Sequence, residues 1–488
     1  MSKLYVFGIG GTGSRVIKSL VMLMASGVKL NVDELVPVII DPDHAAADLT
    51  RTVRLLQQYK RVRNHLDFHS ANQNTFFHTD INLEIIPSVT LPIMNTRDID
   101  FKDYIGLSLM TDKGGDYDAN YALASMLFSE KNLNAKMDVG FKGNPNIGSV
   151  VLNQFAETKE FIDFAASFDQ GDRIFIVSSI FGGTGASGFP LLLKNIRAIS
   201  SDLSGNGNVK DAPVGAISVL PYFDVAPDHN LNHAKRSQID SSTFISKTKA
   251  ALSYYDRNIN EANVLYYIAD YLSKQYANSE GGATQKNDAH FIELAAALAI
   301  VDFASIPDEE LITNHGVPQQ TMYKEFGTGN STYQLIFNDL SQKTNDIILK
   351  PLTRFVLFCK YLQEQLSDSY KQPWTIDHDF DEQFFHAAFF QSELLAVKNA
   401  FIEWLYEMSN NSRAFAPYDL AERKSDLFAL IRGLNPAKLL SLKSNYALFD
   451  DVLNDKQKGL KKDTGKEQRF VELFSRTTDQ LLKLKFRI

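Results

Sequence analysis

Two glycine clusters carry the sharpest chemical signal in the sequence. The first, Val6-Phe-Gly8-Ile-Gly10-Gly11-Thr12-Gly13-Ser14-Arg15, follows a strand-like run and opens a helical pattern. Bare backbone N–H groups and a helix N-terminus then face one spot, a natural seat for an anion. The spacing Gly8-x-Gly10-x-x-Gly13 satisfies the dinucleotide fingerprint, and the lack of Lys-Ser or Lys-Thr after Gly13 separates it from a Walker P-loop. Alone, the loop reads as a nucleotide-phosphate site, with a tight packing turn as the alternative. The second cluster, Phe181-Gly182-Gly183-Thr184-Gly185-Ala186-Ser187-Gly188-Phe189-Pro190, again follows a strand pattern, at Arg173–Ser178. Two such loops converging on one ligand imply a polyphosphate gripped from both sides.

The second cluster resembles the signature loop of the tubulin/FtsZ superfamily in its bacterial form, a Gly-Gly-Gly-Thr-Gly-Ser/Thr-Gly turn that wraps the phosphates of GTP. Gly182-Gly183-Thr184-Gly185 and Pro190 match it, while Phe181 replaces the first Gly and Ala186-Ser187 replaces Ser/Thr-Gly. Three more stretches fall in the superfamily's order. Gly140-Phe-Lys-Gly143-Asn144-Pro145-Asn146 resembles the γ-phosphate loop, Ile40-Asp41-Pro42-Asp43 the loop near magnesium, and Val219-Leu220-Pro221-Tyr222-Phe223-Asp224 the sugar loop. The resemblance spans roughly residues 1–305. It implies that GTP or GDP binds with Mg²⁺. Gly10, Gly11, Thr12 and Gly13 would hold the α- and β-phosphates, Gly182, Gly183, Thr184 and Gly185 the β/γ side, and Gly143 and Asn144 the γ-phosphate. Asp41 and Asp43 would serve the hydrated metal, Asp224 the ribose, and Asn287 and Phe291 the base. Arg15 stands where FtsZ usually offers Asn, and would either meet a phosphate or pair with a surface acid. Read without the family, Gly143-Asn144-Pro145 is an ordinary turn, Asp41 and Asp43 a solvated strand end, Asn287 a cap and Phe291 a core aromatic.

The superfamily's catalytic acid comes from a second subunit, on an Asn-x-Asp-x-x-Asp loop after the central helix. Here that region reads Ser305-Ile-Pro307-Asp308-Glu309-Glu310, leaving Asp308 and Glu309 as weak catalytic candidates that also fit the solvated start of a helix. The expectation is slow or absent GTP hydrolysis and an assembly-linked or conformational switch, or a scaffold that binds nucleotide without turning it over. A rival resemblance covers the first 55 residues: Gly8-x-Gly10-Gly11-x-Gly13, Asp41-x-Asp43 and Arg51 suit the adenylating fold of ubiquitin-activating enzymes, or a plain dinucleotide-binding enzyme. Neither accounts for the loops at 140–148 and 182–188. His229 and His233, near Asp224 and Asp228, have the i, i+4 spacing of a metal pair but read better as loop histidines.

The elements that must position these loops alternate through the first 305 residues. Strand patterns at Leu4–Phe7, Val36–Ile40, Arg173–Ser178, Val214–Leu220 and Asn263–Ile268 alternate with helical ones at Ser14–Ala25, Ile147–Ser167 and Asn287–Phe303. That is the signature of an α/β domain with a parallel sheet. Residues 306–488 read as a mainly α-helical region, with helical spacing at Asn345–Leu366, Asp381–Met408, Ala421–Arg432 and Gly465–Ile488. A chain of 488 residues with 44% apolar and 22% charged residues folds around a large core. A net charge of −8 argues against a nucleic acid partner, and one cysteine, Cys359, suits a reducing cytoplasm. No signal peptide or membrane span is evident. From Asp455 to Ile488 there are ten Lys or Arg against five Asp or Glu. Phe470, Phe474, Thr477, Leu481, Leu484 and Ile488 trace a helix seam, expected to meet either a protein partner, a second copy or an anionic membrane surface, or simply its own domain.

Overall fold

Near-continuous apolar runs become strands covered on both faces, because such a strand has no side to leave polar. A computed structural model describes residues 2–68, 74–96, 98–111, 118–137, 141, 143–199, 209–225, 241–271, 275–276, 282–284, 286–311, 313–314, 317–318, 320–326, 333–421, 427–437 and 444–488. Seven strands form one parallel sheet: β1 (Lys3–Ile9), β2 (Glu34–Ile40), β3 (Asp80–Ile81), β4 (Arg173–Ser179), β5 (Val214–Val219), β6 (Val264–Ile268) and β7 (Met322–Phe326). Their order is β7-β6-β5-β4-β1-β2-β3. The chain winds outward from β1 to β3, then restarts on the other side at β4, so the winding reverses between β1 and β4.

Side chains alternate between the two faces of the sheet. Leu4 and Val6 of β1 join one core, and Tyr5, Phe7 and Ile9 join the other. The first core holds α1 (Gly10–Ser26), α2 (Ala47–Asn64) and α5 (Phe291–Ala304). It continues without a break into the helical region of α6 (Gln342–Glu364), α7 (Leu395–Ser409), α8 (Asn445–Lys456) and α9 (Lys466–Phe486). The second face is covered by the helix Lys159–Ser167, α3 (Gly183–Arg197) and α4 (Phe244–Asn258). The chain is therefore an α/β parallel-sheet protein with a mainly helical C-terminal region. Among the described residues, no helix is long and apolar enough to cross a membrane.

Several elements differ from the periodicity reading. The stretch Ile147–Ser167 divides into the helix Pro145–Val151, a 3-10 segment Leu152–Glu157 and the helix Lys159–Ser167, whose N-terminus Thr158 caps through its hydroxyl. Residues 427–432 of the expected helix Ala421–Arg432 form turns, pinned by an isolated bridge between Tyr418 and Ile431; residues 422–426 lie outside the described ones. The strands β3 and β7 had no clear signature: β3 has two residues, and Met322-Tyr-Lys-Glu-Phe carries charge at an edge position.

The seam on α9 is occupied within the chain. Phe470, Phe474, Thr477 and Leu481 are fully buried. The rings of Phe470 and Phe474 pack against Phe358, Trp374 and Phe380. Of the alternatives left open for this face, packing on its own domain is the one adopted by Phe470, Phe474, Thr477 and Leu481, while Leu484 stays 38% exposed.

Candidate functional site

Both glycine loops leave the carboxyl ends of neighbouring strands, β1 and β4, at the reversal of the winding. In open parallel sheets this crevice is where ligands sit, since the two flanking loops diverge there. The first loop is itself the start of α1: Ile9 ends the strand and Gly10 begins the helix with φ +70°. Strand end and helix start press together so closely that a Cβ on Gly13 would lie 2.4 Å from the Gly8 carbonyl carbon. A Cβ on Gly10 would come within 3.6 Å of Thr184 Cβ, so the first loop directly faces the second.

The second loop begins α3, with Gly182 as N-cap and Gly183 as the first helical residue. A Cβ on Gly183 would meet Phe141 Cβ at 2.9 Å, Asn144 N at 3.0 Å and Gly143 N at 3.2 Å. The Gly143-Asn144 turn thus abuts the second loop, and Asn144 is the N-cap of the helix Pro145–Val151. Lys247 of α4 holds this turn by donating to the Gly143 carbonyl at 2.8 Å. Phe181 packs its buried ring against Tyr222, Phe223 and Phe244, so the bare backbone of the turn begins at Gly182. Gly140 lies outside the described residues, as do Asp228, His229 and His233.

On the other side, Ile40 pairs with Ile9, so Asp41 and Asp43 leave β2 beside Gly10. Both are buried. Asp41 Oδ1 accepts from the Asp43 N–H at 3.0 Å, and Asp43 accepts from the N–H groups of Ala45 and Gly282. Burial, with the nearby Asp43 and Asp48 charges, pushes the Asp41 carboxyl up to about 7. Two buried carboxyls short of a counter-charge fit a cation that takes its remaining ligands from phosphate and water, as Mg²⁺ does. Among the described residues no cluster of three or more His, Cys, Asp or Glu forms a protein-only metal cage.

Arg15 does not face the crevice as an open phosphate ligand. It is buried, with Nε 2.5 Å from Glu293 Oε1, one terminal nitrogen 2.7 Å from Asp48 and the other 2.8 Å from the Tyr222 hydroxyl. Burial alone would lower its pKa, but Tyr222, Glu293 and Asp48 outweigh that and hold the guanidinium charged. Of the two roles left open for Arg15, pairing with acids is the one adopted, inside the core and with Thr12 Oγ1 only 3.4 Å away. Glu293 also completes a capping box with His290, which starts α5 four residues later than the helical pattern suggests. Asn287 lies half-buried before that cap, and Phe291 is a buried core aromatic whose ring lies 5.4 Å from that of Phe415. This corrects the assignment of Phe291 to a base-contacting face. Asp224 is half-buried in a two-residue strand paired with Gln275–Tyr276, and its carboxylate accepts from the Val225 N–H.

Asp308 lies at the far end of the sheet. It pairs at 2.5 Å with Arg173, the first residue of β4, whereas the glycine loop follows the last. Seven strand residues separate the two by about 20 Å. Asp308 and the exposed Glu309 cannot act on a ligand held by the loops of the same molecule.

Sequence reasoning missed Glu293, Tyr222 and Asp48. One signal was present for the first: Glu293 is one of only two acids in a helix otherwise apolar on every side, and such an acid needs a buried partner.

No family model and no curated protein matches the sequence. Solved structures to which the chain is similar include CetZ from Methanosaeta thermophila strain DSM 6194 and an FtsZ mutant from M. jannaschii, at 15% and 16% identity with TM-scores of 0.27 and 0.25. Each match covers 55% of this chain, and the chain spans 46% of theirs, about half their length. A GDP-bound monomer of CetZ1 from Haloferax volcanii matches with 15% identity, 64% of each chain and a TM-score of 0.31.

Proposed function

We propose that this cytoplasmic chain binds a guanine nucleotide with Mg²⁺ between its two glycine loops, in the manner of tubulin/FtsZ-like proteins, and acts as an assembly-linked or conformational switch with slow or absent hydrolysis. The observation that carries the reading is the direct facing of Gly10 and Thr184 across the winding reversal, with Gly143 and Asn144 closing the third side. Three backbone turns around one crevice suit a chain of phosphates better than the single pyrophosphate of a dinucleotide. The strand order is shared with dinucleotide-binding folds, so the second and third loops are what separate the readings. The preference for guanine rests on the order of the five loops in the sequence.

Within that reading, the bare N–H groups of Gly11–Gly13 and Gly183–Gly185 bind and orient the phosphates. Bound there, Mg²⁺ would offset charge on the phosphates, held through water by Asp41 and Asp43. Thr12 lies next to Arg15, which joins the loop to Glu293 at the head of α5, so loop occupancy is felt at the cap of the central helix. Calorimetric titration with GTP, GDP, ATP and NAD, with and without Mg²⁺, tests the proposal. Magnesium-dependent binding of GTP and GDP supports it; retention of ATP or NAD with exclusion of GTP would replace it with an adenylating or dinucleotide-binding enzyme.

A further inference from the structure

A second polar cleft opens on the helical region, between α6, the end of α8 and α9, with a volume of about 600 Å³. Arg354, Lys456, Arg476 and Lys483 line it together with Asp455 and Asp479. The charges do not balance. Asp479 alone is shared by Lys350 at 2.9 Å, Lys483 at 2.7 Å and Arg354 at 3.9 Å. Arg476 pairs with Glu472 and Lys456 with Asp455, leaving five cations around three carboxylates.

Arg354 makes the imbalance acute. It is 7% exposed, yet among the described residues its nearest paired carboxylate, Asp479, stands 3.9 Å away. One terminal nitrogen donates to the Ser475 carbonyl and hydroxyl, at 2.5 and 2.9 Å. Among the described residues no acceptor meets its buried Nε or that of Arg476. A buried guanidinium that shares its one carboxylate with two lysines leaves positive charge that a bound anion would offset. Burial holds Arg354 below its ordinary pKa, in keeping with that shortage. Planar guanidiniums and flexible ammoniums together match the tetrahedral, multiply charged oxygens of phosphate.

We propose that this cleft is a binding site for a phosphate-bearing ligand, a phosphomonoester or short polyphosphate, separate from the crevice between the glycine loops. The volume leaves room for more than inorganic phosphate. The inference stands independently of the nucleotide reading, because no residue is shared between the two sites.

The test is calorimetry of the full chain with sodium tripolyphosphate, on the unsubstituted protein and on Gly183→Val, whose change lies in the crevice and not in the cleft. The variant Lys456→Glu/Lys483→Glu changes two side chains at the cleft mouth, and Lys456→Ala/Lys483→Ala serves if charge reversal lowers the melting temperature. Lys131→Glu/Lys159→Glu, at exposed positions elsewhere, controls for net charge. Binding that persists in Gly183→Val and in the control and that weakens at least tenfold in the cleft variant supports the proposal. It is overturned if Gly183→Val abolishes all tripolyphosphate binding, or if cleft variant and control bind alike. Sedimentation with phosphatidylcholine vesicles carrying phosphatidylinositol 4-phosphate, lost in the cleft variant, would support it with a lipid headgroup as the source. Calorimetric binding without sedimentation would support it with a soluble phosphate as the source.

Discussion

At the scale of single residues, the crevice is made by absent side chains. Gly183 is the sharpest case, because an added Cβ would strike both Phe141 and the backbone of Asn144. Gly183→Val should therefore push the third loop away and weaken GTP binding at least roughly tenfold, a change of about 1.4 kcal/mol or more. Calorimetry reads the affinity, and circular dichroism confirms the retained fold. Arg15 makes the opposite prediction. Arg15→Ala would leave Glu293 buried without its cation and Asp48 with Arg51 alone, 3.9 Å away, which costs about 3–5 kcal/mol. Urea denaturation should show that loss without any nucleotide present; a neutral result would mean that the guanidinium is not the centre of the network.

At the scale of elements, one side chain joins the glycine-loop helix to the C-terminal region. Glu407 of α7 accepts from Lys18 of α1 at 3.0 Å, from Arg51 of α2 at 2.6 Å and from the Ala289 N–H just before α5 at 3.0 Å. Burial alone would raise its pKa, but the Lys18 and Arg51 charges outweigh that and hold the carboxyl below its ordinary value of 4.5. A carboxyl depressed in the folded state stabilises above the unfolded pKa and loses that contribution as pH falls through the folded one. Glu407→Gln should therefore destabilise the chain at pH 7, and the gap to the unsubstituted protein should shrink once the pH drops below 4.5. Paired urea titrations at pH 7 and pH 4 measure it. The α9 seam gives a contrast of the same kind. Phe474→Ala removes a fully buried ring and should cost about 3–5 kcal/mol, while Leu484→Ala, at a position 38% exposed, should cost less than about 1 kcal/mol.

At the scale of the whole molecule, the two ends of the sheet hold different chemistry. The glycine turns gather at the carboxyl ends of the strands, and the acids Asp308 and Glu309 sit at the other. If a nucleotide occupies the crevice as proposed, Asp308 and Glu309 could reach it only from a second molecule stacked with its base on this one's loops. Phosphoryl transfer depends almost entirely on positioning and electrostatics, so an isolated chain should hydrolyse GTP slowly. Phosphate release should stay low at every protein concentration, and Asp308→Ala should leave it unchanged. Turnover that climbs steeply with concentration and collapses in Asp308→Ala would instead make Asp308 the acid supplied across a contact between copies.

The local features of this protein were legible in the sequence because local rules govern them. Five of the seven strands are apolar runs ended by glycine or turn residues, and α1 and α6 carry their periodicity openly. The two glycine loops were readable because a bare backbone between strand and helix has few other uses. Tertiary structure decided what depends on distant partners. Arg15 could have faced a phosphate, but Glu293, 278 positions along the chain, took it into the core. Phe291 packs against Phe415 and α9 lies against α6, and neither pairing follows from an amphipathic pattern, which states only that a face must be covered. The cleft at Arg354 is of the same kind: its cations come from three helices, and their unequal share of carboxylates arises only once those helices have packed.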